Sequence, residues 1–277
     1  MKAPRHNEQH QELWGRESLP EMTRVFRSCL GYASCPGWSV MREAVLGHFG
    51  GFHDLKTVEL GCGEGKVSLL FALLGARTTL VDYSEKQLRH ARYVAEKFHM
   101  NPEFRLGNVL ELPERASDRY HLSMSFGTAE HFFGEDRQAI FEAHAGVLRP
   151  GGLTFLWVPN RWAFLFHAGV WTRQKLGRET CHVDEVPFSR KELAERASRA
   201  GLSDVRIVGA SSLRDDFSHF IVDLPRWLGL PDRRSTFDRP ETARAELLSA
   251  MERNVSRPGF LADRLSYPLL MIGKRRA

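Results

Sequence analysis

The sequence predicts an α/β fold with a doubly wound, seven-stranded sheet and helical insertions. From residue 55 onward, short apolar runs of strand length alternate with amphipathic stretches of helix length. A glycine-rich turn follows the first apolar run, and an aspartate ends the second. The composition, 42% hydrophobic and 26% charged, is that of a globular protein and excludes wholesale disorder.

Each element follows from a local pattern. Apolar segments of strand length lie at 55–60, 76–82, 102–108, 119–126, 151–159, 203–210 and 266–276. Helices are predicted over 65–76, 84–98, 135–148 and 188–202. Ser84 with Gln87, and Ser189 with Glu192, form capping boxes that mark two helix starts. Because helix-length segments separate the strands, the sheet is expected to be mainly parallel and covered on both faces.

The chain reads as a single domain of residues 1–277, with no repeat or linker to divide it. The predicted core comprises 55–160, 188–210 and 266–277. Residues 1–54 form a predicted N-terminal helical cap, and 161–187 and 211–265 are lid or cap insertions, all gathered over the substrate side.

Charge and cysteine usage restrict the partners and the compartment. The net charge of +5 raises nucleic acid or an anionic membrane as partners, but the predicted cap segments are nearly neutral. Nucleic acid is therefore disfavoured. The four cysteines are far apart and form no CxxC pair, which predicts a reduced protein. The sequence shows no signal-peptide pattern and no membrane-spanning stretch, so we expect a cytoplasmic protein without a membrane span.

The most informative segment is VELGCGEG at 58–65, in which a strand ends in a glycine-rich turn before a helix. Glycines there bring the backbone close to a ligand at the carboxyl edge of the sheet. Lys66 occupies the place of the third glycine of a dinucleotide fingerprint, and Val67 replaces the hydroxyl residue of a Walker A loop. Asp82, at the end of the second strand, can accept hydrogen bonds from both ribose hydroxyls of an adenosine ligand.

Five ordered motifs carry a family resemblance: VELGCGEG, LVDYS, GNVLELPE, SFGTAEHF and VLRPGGLTFLWVPN. They closely resemble those of class I S-adenosylmethionine-dependent methyltransferases, of the small-molecule, methyltransferase-11 and -12 type. The segment VPFSRKELAERASRAGLSDVRIVG also resembles the sixth-strand region of that family. The resemblance spans about 58–210 plus the final strand, and implies a Rossmann-like sheet whose last strand is antiparallel.

The resemblance implies S-adenosylmethionine as cofactor, S-adenosylhomocysteine as product, and a set of cofactor-binding residues. These are Glu59, Gly61, Cys62 and Gly63 along the methionine part, Asp82 at the ribose, Tyr83, Asn108 and Val109 around the adenine, and Phe126 and Gly127 bordering the site. Asn108 departs from the aspartate common in the family. Its side-chain oxygen can still accept a hydrogen bond from the adenine amino group.

The acceptor side is less defined by sequence. His131, after the fourth strand, is the predicted general base, with a purely local hydrogen-bonding role as the alternative; His182 and Asp184 are weaker candidates. Trp162 and Phe166 are predicted to contact substrate, on a segment that either packs on the domain or forms a lid. No clustered ligand set surrounds Glu130 and His131 in the sequence, so no metal is predicted.

The favoured function is in-line methyl transfer to an oxygen or nitrogen of a small, partly apolar or aromatic molecule. The alternatives are a tRNA or rRNA methyltransferase, and a protein that binds the cofactor without transferring its methyl group. SFGTAEHF lacks the Asn-Pro-Pro-aromatic sequence typical of amino-group methylation on bases, which argues against the first. The N-terminal helices offer a surface for a homodimer.

Overall fold

The computed structural model describes residues 18–112, 120–175, 185–211, 237–253 and 259–276. Its centre is a seven-stranded sheet of order β3-β2-β1-β4-β5-β7-β6. The strands are β1 Lys56–Leu60, β2 Arg77–Asp82, β3 Glu103–Leu106, β4 Tyr120–Phe126, β5 Leu148–Pro159, β6 Leu202–Gly209 and β7 Pro268–Arg275. β7 is antiparallel to both β5 and β6, and the other pairs are parallel. The predicted fold class is confirmed.

The largest difference from the predicted strand boundaries is at the start of β5; the other strand ends lie within two residues of the prediction. β5 begins at Leu148, before the predicted start at 151, because the buried Leu148 already pairs with Tyr120. The register then shifts, so that Leu122 pairs with Leu153. Gly151 adopts a left-handed φ of +74° in this irregular stretch, which accommodates the additional residues as a bulge.

Helices cover both faces of the sheet. They are α1 Met22–Ala33, α2 Pro36–Phe49, α3 Lys66–Leu73, α4 Glu85–Lys97, α5 Asp136–Val147, α6 Phe164–Lys175, α7 Arg190–Arg199, α8 Pro240–Glu252 and α9 Phe260–Leu265. Ser84 accepts a hydrogen bond from Gln87 N at 3.4 Å, and Ser189 accepts one from Glu192 N at 3.1 Å, as the capping boxes predict. In the part of the chain described, no helix is long and apolar enough to cross a membrane.

Alternate residues of β5 face two separate cores. Phe155 and Trp157 of β5 face one core together with residues of α1, α2, α3 and α8. Leu156 and Val158 face the other, together with residues of α5 and α7. α1, α2 and α8 thus pack on one face of the sheet, and their gathering over the substrate side stays a prediction.

Candidate active site

The glycine turn between β1 and α3 is fixed by backbone hydrogen bonds to the neighbouring strand. Gly61 N and Cys62 N both donate to Val81 O, each at 2.9 Å. Gly61, Gly63 and Gly65 have φ values of +73°, +51° and +67°, which side-chain-bearing residues rarely adopt. The turn therefore requires glycine because of its backbone conformation, as well as to let a ligand approach the backbone.

Two of these glycines have different surroundings. A Cβ on Gly61 would lie 2.4 Å from Cγ2 of Thr128, whose hydroxyl donates to Gly61 O at 3.0 Å. Close packing thus links the turn to the segment after β4. A Cβ on Gly63 would have no atom within 4 Å. Open space beside Gly63 leaves its backbone accessible to a ligand.

Asp82 ends β2 beside this turn, as predicted. Its Oδ2 accepts a hydrogen bond from Gly63 N at 3.0 Å, and its Oδ1 accepts one from Ser84 N at 2.9 Å. Burial raises the pKa of this carboxyl, and these backbone donors counteract the rise. A carboxylate can accept about four hydrogen bonds, so Asp82 retains capacity for ligand hydroxyls.

Glu59 of β1 lies beneath the turn and is 2% exposed. Burial raises its pKa to about 8, and the nearby Asp82 adds to the rise. Its Oε2 has no hydrogen-bond partner among the described residues. A buried carboxylate oxygen without a partner is costly unless a bound donor or cation satisfies it.

The remaining residues predicted to hold the cofactor follow the carboxyl ends of β1 to β4. Cys62 and Val109 are buried, Tyr83 and Phe126 are partly exposed, and Gly127 is exposed. Asn108 Oδ1 accepts a hydrogen bond from Leu110 N at 3.1 Å and caps a short 3-10 turn, a role that sequence reasoning did not anticipate. The contacts of these residues with a cofactor stay a prediction.

The predicted base, His131, lies in a short 3-10 turn, Ala129–His131, after β4. One potential ligand atom each of Glu130, His131 and Glu185 lies within 4.8 Å of the other two. The expectation that no ligand cluster surrounds Glu130 and His131 was wrong, because Glu185 comes from a distant segment that no local pattern connects to β4. His182 and Asp184 lie outside the described residues.

An aromatic group that the sequence did not predict stands at the same edge of the sheet. Tyr32, at the end of α1, makes edge-to-face contacts with Phe126 and Trp157 at centroid distances of 6.3 and 5.7 Å. Phe126 and Trp157 lie 6.1 Å apart. A Cβ on Gly37 would lie 2.4 Å from the Trp157 ring, so this glycine lets the indole pack tightly. We call Tyr32, Phe126 and Trp157 the aromatic wall.

The two predicted substrate residues have different environments. Trp162 is 55% exposed, and its ring contacts Phe164 at 6.0 Å. Phe166 stacks on Tyr267 with 3.4 Å between ring centroids. The structure therefore places Phe166 against the residue before β7. Contact of either side chain with a substrate stays a prediction.

Comparison with known proteins adds independent information. Residues 58–152 match a family model described as a methyltransferase domain. The chain is 31% identical over 130 residues to a ubiquinone biosynthesis O-methyltransferase of Parvibaculum lavamentivorans, covering 44% of this chain and 50% of the relative. It is 29% identical over 157 residues to the protein of the same name from Bordetella avium, covering 55% and 64% respectively. The matches thus span about half to two thirds of these relatives.

Solved structures share the fold at low sequence identity. Magnesium protoporphyrin IX methyltransferase from Synechocystis, solved with bound S-adenosylhomocysteine, aligns with a TM-score of 0.52 and 15% identity, covering 97% of this chain and 94% of that one. A methyltransferase from Archaeoglobus fulgidus, described as dependent on S-adenosylmethionine, aligns with a TM-score of 0.52 and 13% identity, covering 86% and 94%. At these identities the likeness establishes the fold alone.

Proposed function

We propose that this chain is an S-adenosylmethionine-dependent methyltransferase acting on a small aromatic or partly apolar molecule, since residues 58–152 match the methyltransferase domain model. When bound, the cofactor supplies a methyl group activated by the positive charge of a sulfonium. The protein's task is then mainly to hold donor and acceptor in line, which can lower the barrier by about 7–11 kcal/mol.

The observation that carries this proposal is the unpartnered carboxylate oxygen of Glu59 beneath an open glycine turn. The methionine part of the cofactor carries an ammonium group, which would satisfy that buried oxygen. Asp82, held in place by Gly63 N and Ser84 N, offers its remaining lone pairs to the ribose hydroxyls. The residues present therefore fit the cofactor at both its charged and its hydroxylated ends.

We propose that the aromatic wall orients the acceptor. Two of its members, Phe126 and Trp157, lie at the ends of the neighbouring strands β4 and β5, and Tyr32 reaches them from α1. Flat rings pack well against such a surface. The relatives' names refer to O-methylation in ubiquinone biosynthesis, and this favours oxygen over nitrogen as the atom methylated here.

We propose that a side chain in the turn after β4 removes the proton from an acceptor hydroxyl. His131 is our candidate general base, a role that typically contributes about 10²- to 10⁴-fold to the rate. Its position in the turn after β4 supports this assignment, since Phe126 of the aromatic wall ends the same strand.

A small molecule is proposed as acceptor instead of a nucleic acid, and a cytoplasmic location is part of the proposal. The aromatic wall supports the first statement. Within the described part of the chain, Cys29, Cys35 and Cys62 form no disulfide, and this supports the second because it is compatible with a reducing compartment.

The test combines binding with turnover. Calorimetry should detect binding of S-adenosylhomocysteine, and incubation of the enzyme with S-adenosylmethionine and a panel of phenols, catechols and aromatic amines should release S-adenosylhomocysteine. Binding with no turnover on any phenol or catechol would contradict the proposed acceptor class. Absence of binding would contradict the cofactor assignment itself.

A further inference from the structure

We propose that Glu130, His131 and Glu185 bind a divalent metal cation beside the acceptor side of the candidate active site. Each residue offers one ligand atom, and the three atoms lie within 4.8 Å of one another. Ligand atoms about 2.1 Å from a common cation stand roughly 3–4 Å apart. Small side-chain adjustments therefore suffice to bring all three atoms into coordination.

The environment of Glu130 points independently to a missing ligand. This residue is 3% exposed, and its Oε2 has no hydrogen-bond partner among the described residues. Glu185 is close enough for its negative charge to act on the Glu130 carboxyl. A bound cation would satisfy the orphaned oxygen and offset the repulsion between the two carboxylates.

Among the described residues, Arg137 is the cationic side chain whose charge acts on Glu130, and its hydrogen bonds go to other groups. Arg137, 5% exposed, donates to Glu192 Oε1 at 2.8 Å, to Val186 O at 2.9 Å and to Phe132 O at 3.4 Å. Its guanidinium carbon also lies 3.5 Å from the centre of the Phe188 ring. Arg137 thus donates its hydrogen bonds to Glu192 and to backbone carbonyls, and none of these goes to the Glu130 carboxylate.

These same bonds hold the site in shape. Arg137 joins the carbonyl of Phe132, which follows the turn carrying Glu130 and His131, to that of Val186, which follows Glu185. Val186 N in turn donates to Glu130 O at 3.0 Å. Hydrogen bonds therefore connect the turn after β4 with the segment that begins at Glu185, and they do so at residues next to the proposed ligands. A preorganised metal site requires such support.

The donor set indicates the kind of cation. Two carboxylates and one imidazole suit Mn²⁺, Mg²⁺, Fe²⁺ or Zn²⁺, and disfavour soft cations such as Cu⁺, which prefer sulfur. The role of the cation rests on the proposed function: it would favour loss of the acceptor hydroxyl's proton to water. The acceptor oxygen then forms its bond to the methyl carbon as the carbon–sulfur bond breaks, and the sulfonium becomes a neutral thioether. With the cation bound, His131 would act as a ligand, and this metal-assisted route would replace the general-base role proposed above for the metal-free protein.

Metal titration of the full chain tests the site without any turnover. After removal of metal with a chelator, Mn²⁺ is titrated in and followed by electron paramagnetic resonance and by calorimetry. We expect one bound Mn²⁺ per chain and at least tenfold weaker binding in Glu185→Gln and in His131→Gln. Glu96→Gln, an exposed glutamate on α4, is the matched control and should bind as the parent does. Circular dichroism confirms that each variant is folded.

Absence of Mn²⁺, Mg²⁺ and Zn²⁺ binding in the parent, or equal binding by Glu185→Gln and Glu96→Gln, overturns the proposal. A parallel titration with S-adenosylhomocysteine in the presence of chelator keeps the two hypotheses apart. Cofactor binding without metal binding contradicts the metal site alone, and metal binding without cofactor binding contradicts the proposed function.

Discussion

The carboxylate of Asp82 accepts a hydrogen bond from the backbone N–H of Gly63 at 3.0 Å, and so ties the end of β2 to the middle of the glycine turn. The other carboxylate oxygen accepts from Ser84 N, the N-cap residue of α4. One side chain therefore positions the turn, fixes the start of α4 and still has acceptor capacity for a ligand.

Asp82→Ala should weaken binding of S-adenosylhomocysteine at least tenfold, because both the ribose contact and the support of Gly63 are lost. Calorimetric titration measures this directly. Asp54→Asn is a suitable control: Asp54 lies before the amino end of β1 with a φ of +60°, which asparagine tolerates well. Equal affinity of Asp82→Ala and the parent would contradict the site assignment.

Local patterns explain why Asp82 and the glycine turn could be predicted. A strand that ends in glycines and a strand that ends in aspartate must meet at the same edge of a parallel sheet. The sequence did not predict the roles of Tyr32, Trp157 and Glu185. Each of these residues lies on a different segment from the residues that it contacts. Only tertiary packing, such as the contact of Gly37 with Trp157 or the bonds of Arg137, brings them to this edge.

The cofactor affinity should depend on pH through Glu59. Burial raises the pKa of this carboxyl to about 8, so it is mostly protonated in the free protein at pH 6. If the ammonium group of S-adenosylhomocysteine requires the carboxylate, binding releases a proton, and affinity increases by up to about tenfold per pH unit between pH 6 and 7.5.

Calorimetry in buffers of different ionisation enthalpy measures that released proton. Glu59→Gln should bind more weakly and lose the pH dependence. A proton release in the variant as large as in the parent would show that a group other than Glu59 is responsible.

Alanine at Gly61 should be far more damaging than alanine at Gly63. Both positions have positive φ, which costs a side-chain-bearing residue about 1–2 kcal/mol. A Cβ on Gly61 would also overlap Thr128, and overpacking of this kind typically costs about 1–3 kcal/mol more. Urea unfolding compares the two variants, and Thr128→Ala should partly restore the stability of Gly61→Ala. Equal losses in both variants would contradict the tight contact.

His144 should make the stability of the fold sensitive to mild acid. It is buried in α5, where Nε2 lies 3.2 Å from Ser125 Oγ, and burial lowers its pKa to about 3. Because the unfolded chain takes up a proton near pH 6.5 and the folded chain does not, this residue's contribution is complete above pH 6.5 and is lost as the pH falls. The slope is about 1.4 kcal/mol per pH unit, or about 2 kcal/mol between pH 6.5 and 5.

Urea unfolding at several pH values measures this slope. Glu59 and Glu130, whose pKa values are raised by burial, act in the opposite direction, because they favour the folded state at low pH. The difference between the parent and His144→Gln therefore isolates the histidine. A difference that does not change between pH 7.5 and 5 would contradict its buried, neutral state.

Tyr32 should control the acceptor more than the cofactor. Its ring contacts Phe126 and Trp157, and burial together with the nearby Glu59 raises the pKa of its hydroxyl, which therefore stays protonated at neutral pH. Tyr32→Ala should raise the KM for an aromatic acceptor about tenfold, since loss of one ring contact typically costs about 0.5–1.5 kcal/mol beyond the buried area. Tyr32→Phe keeps the ring and should keep the KM within about twofold. Both variants should bind S-adenosylhomocysteine with the affinity of the parent. If Tyr32→Ala weakens that binding as much as it raises the KM, Tyr32 supports the cofactor site instead.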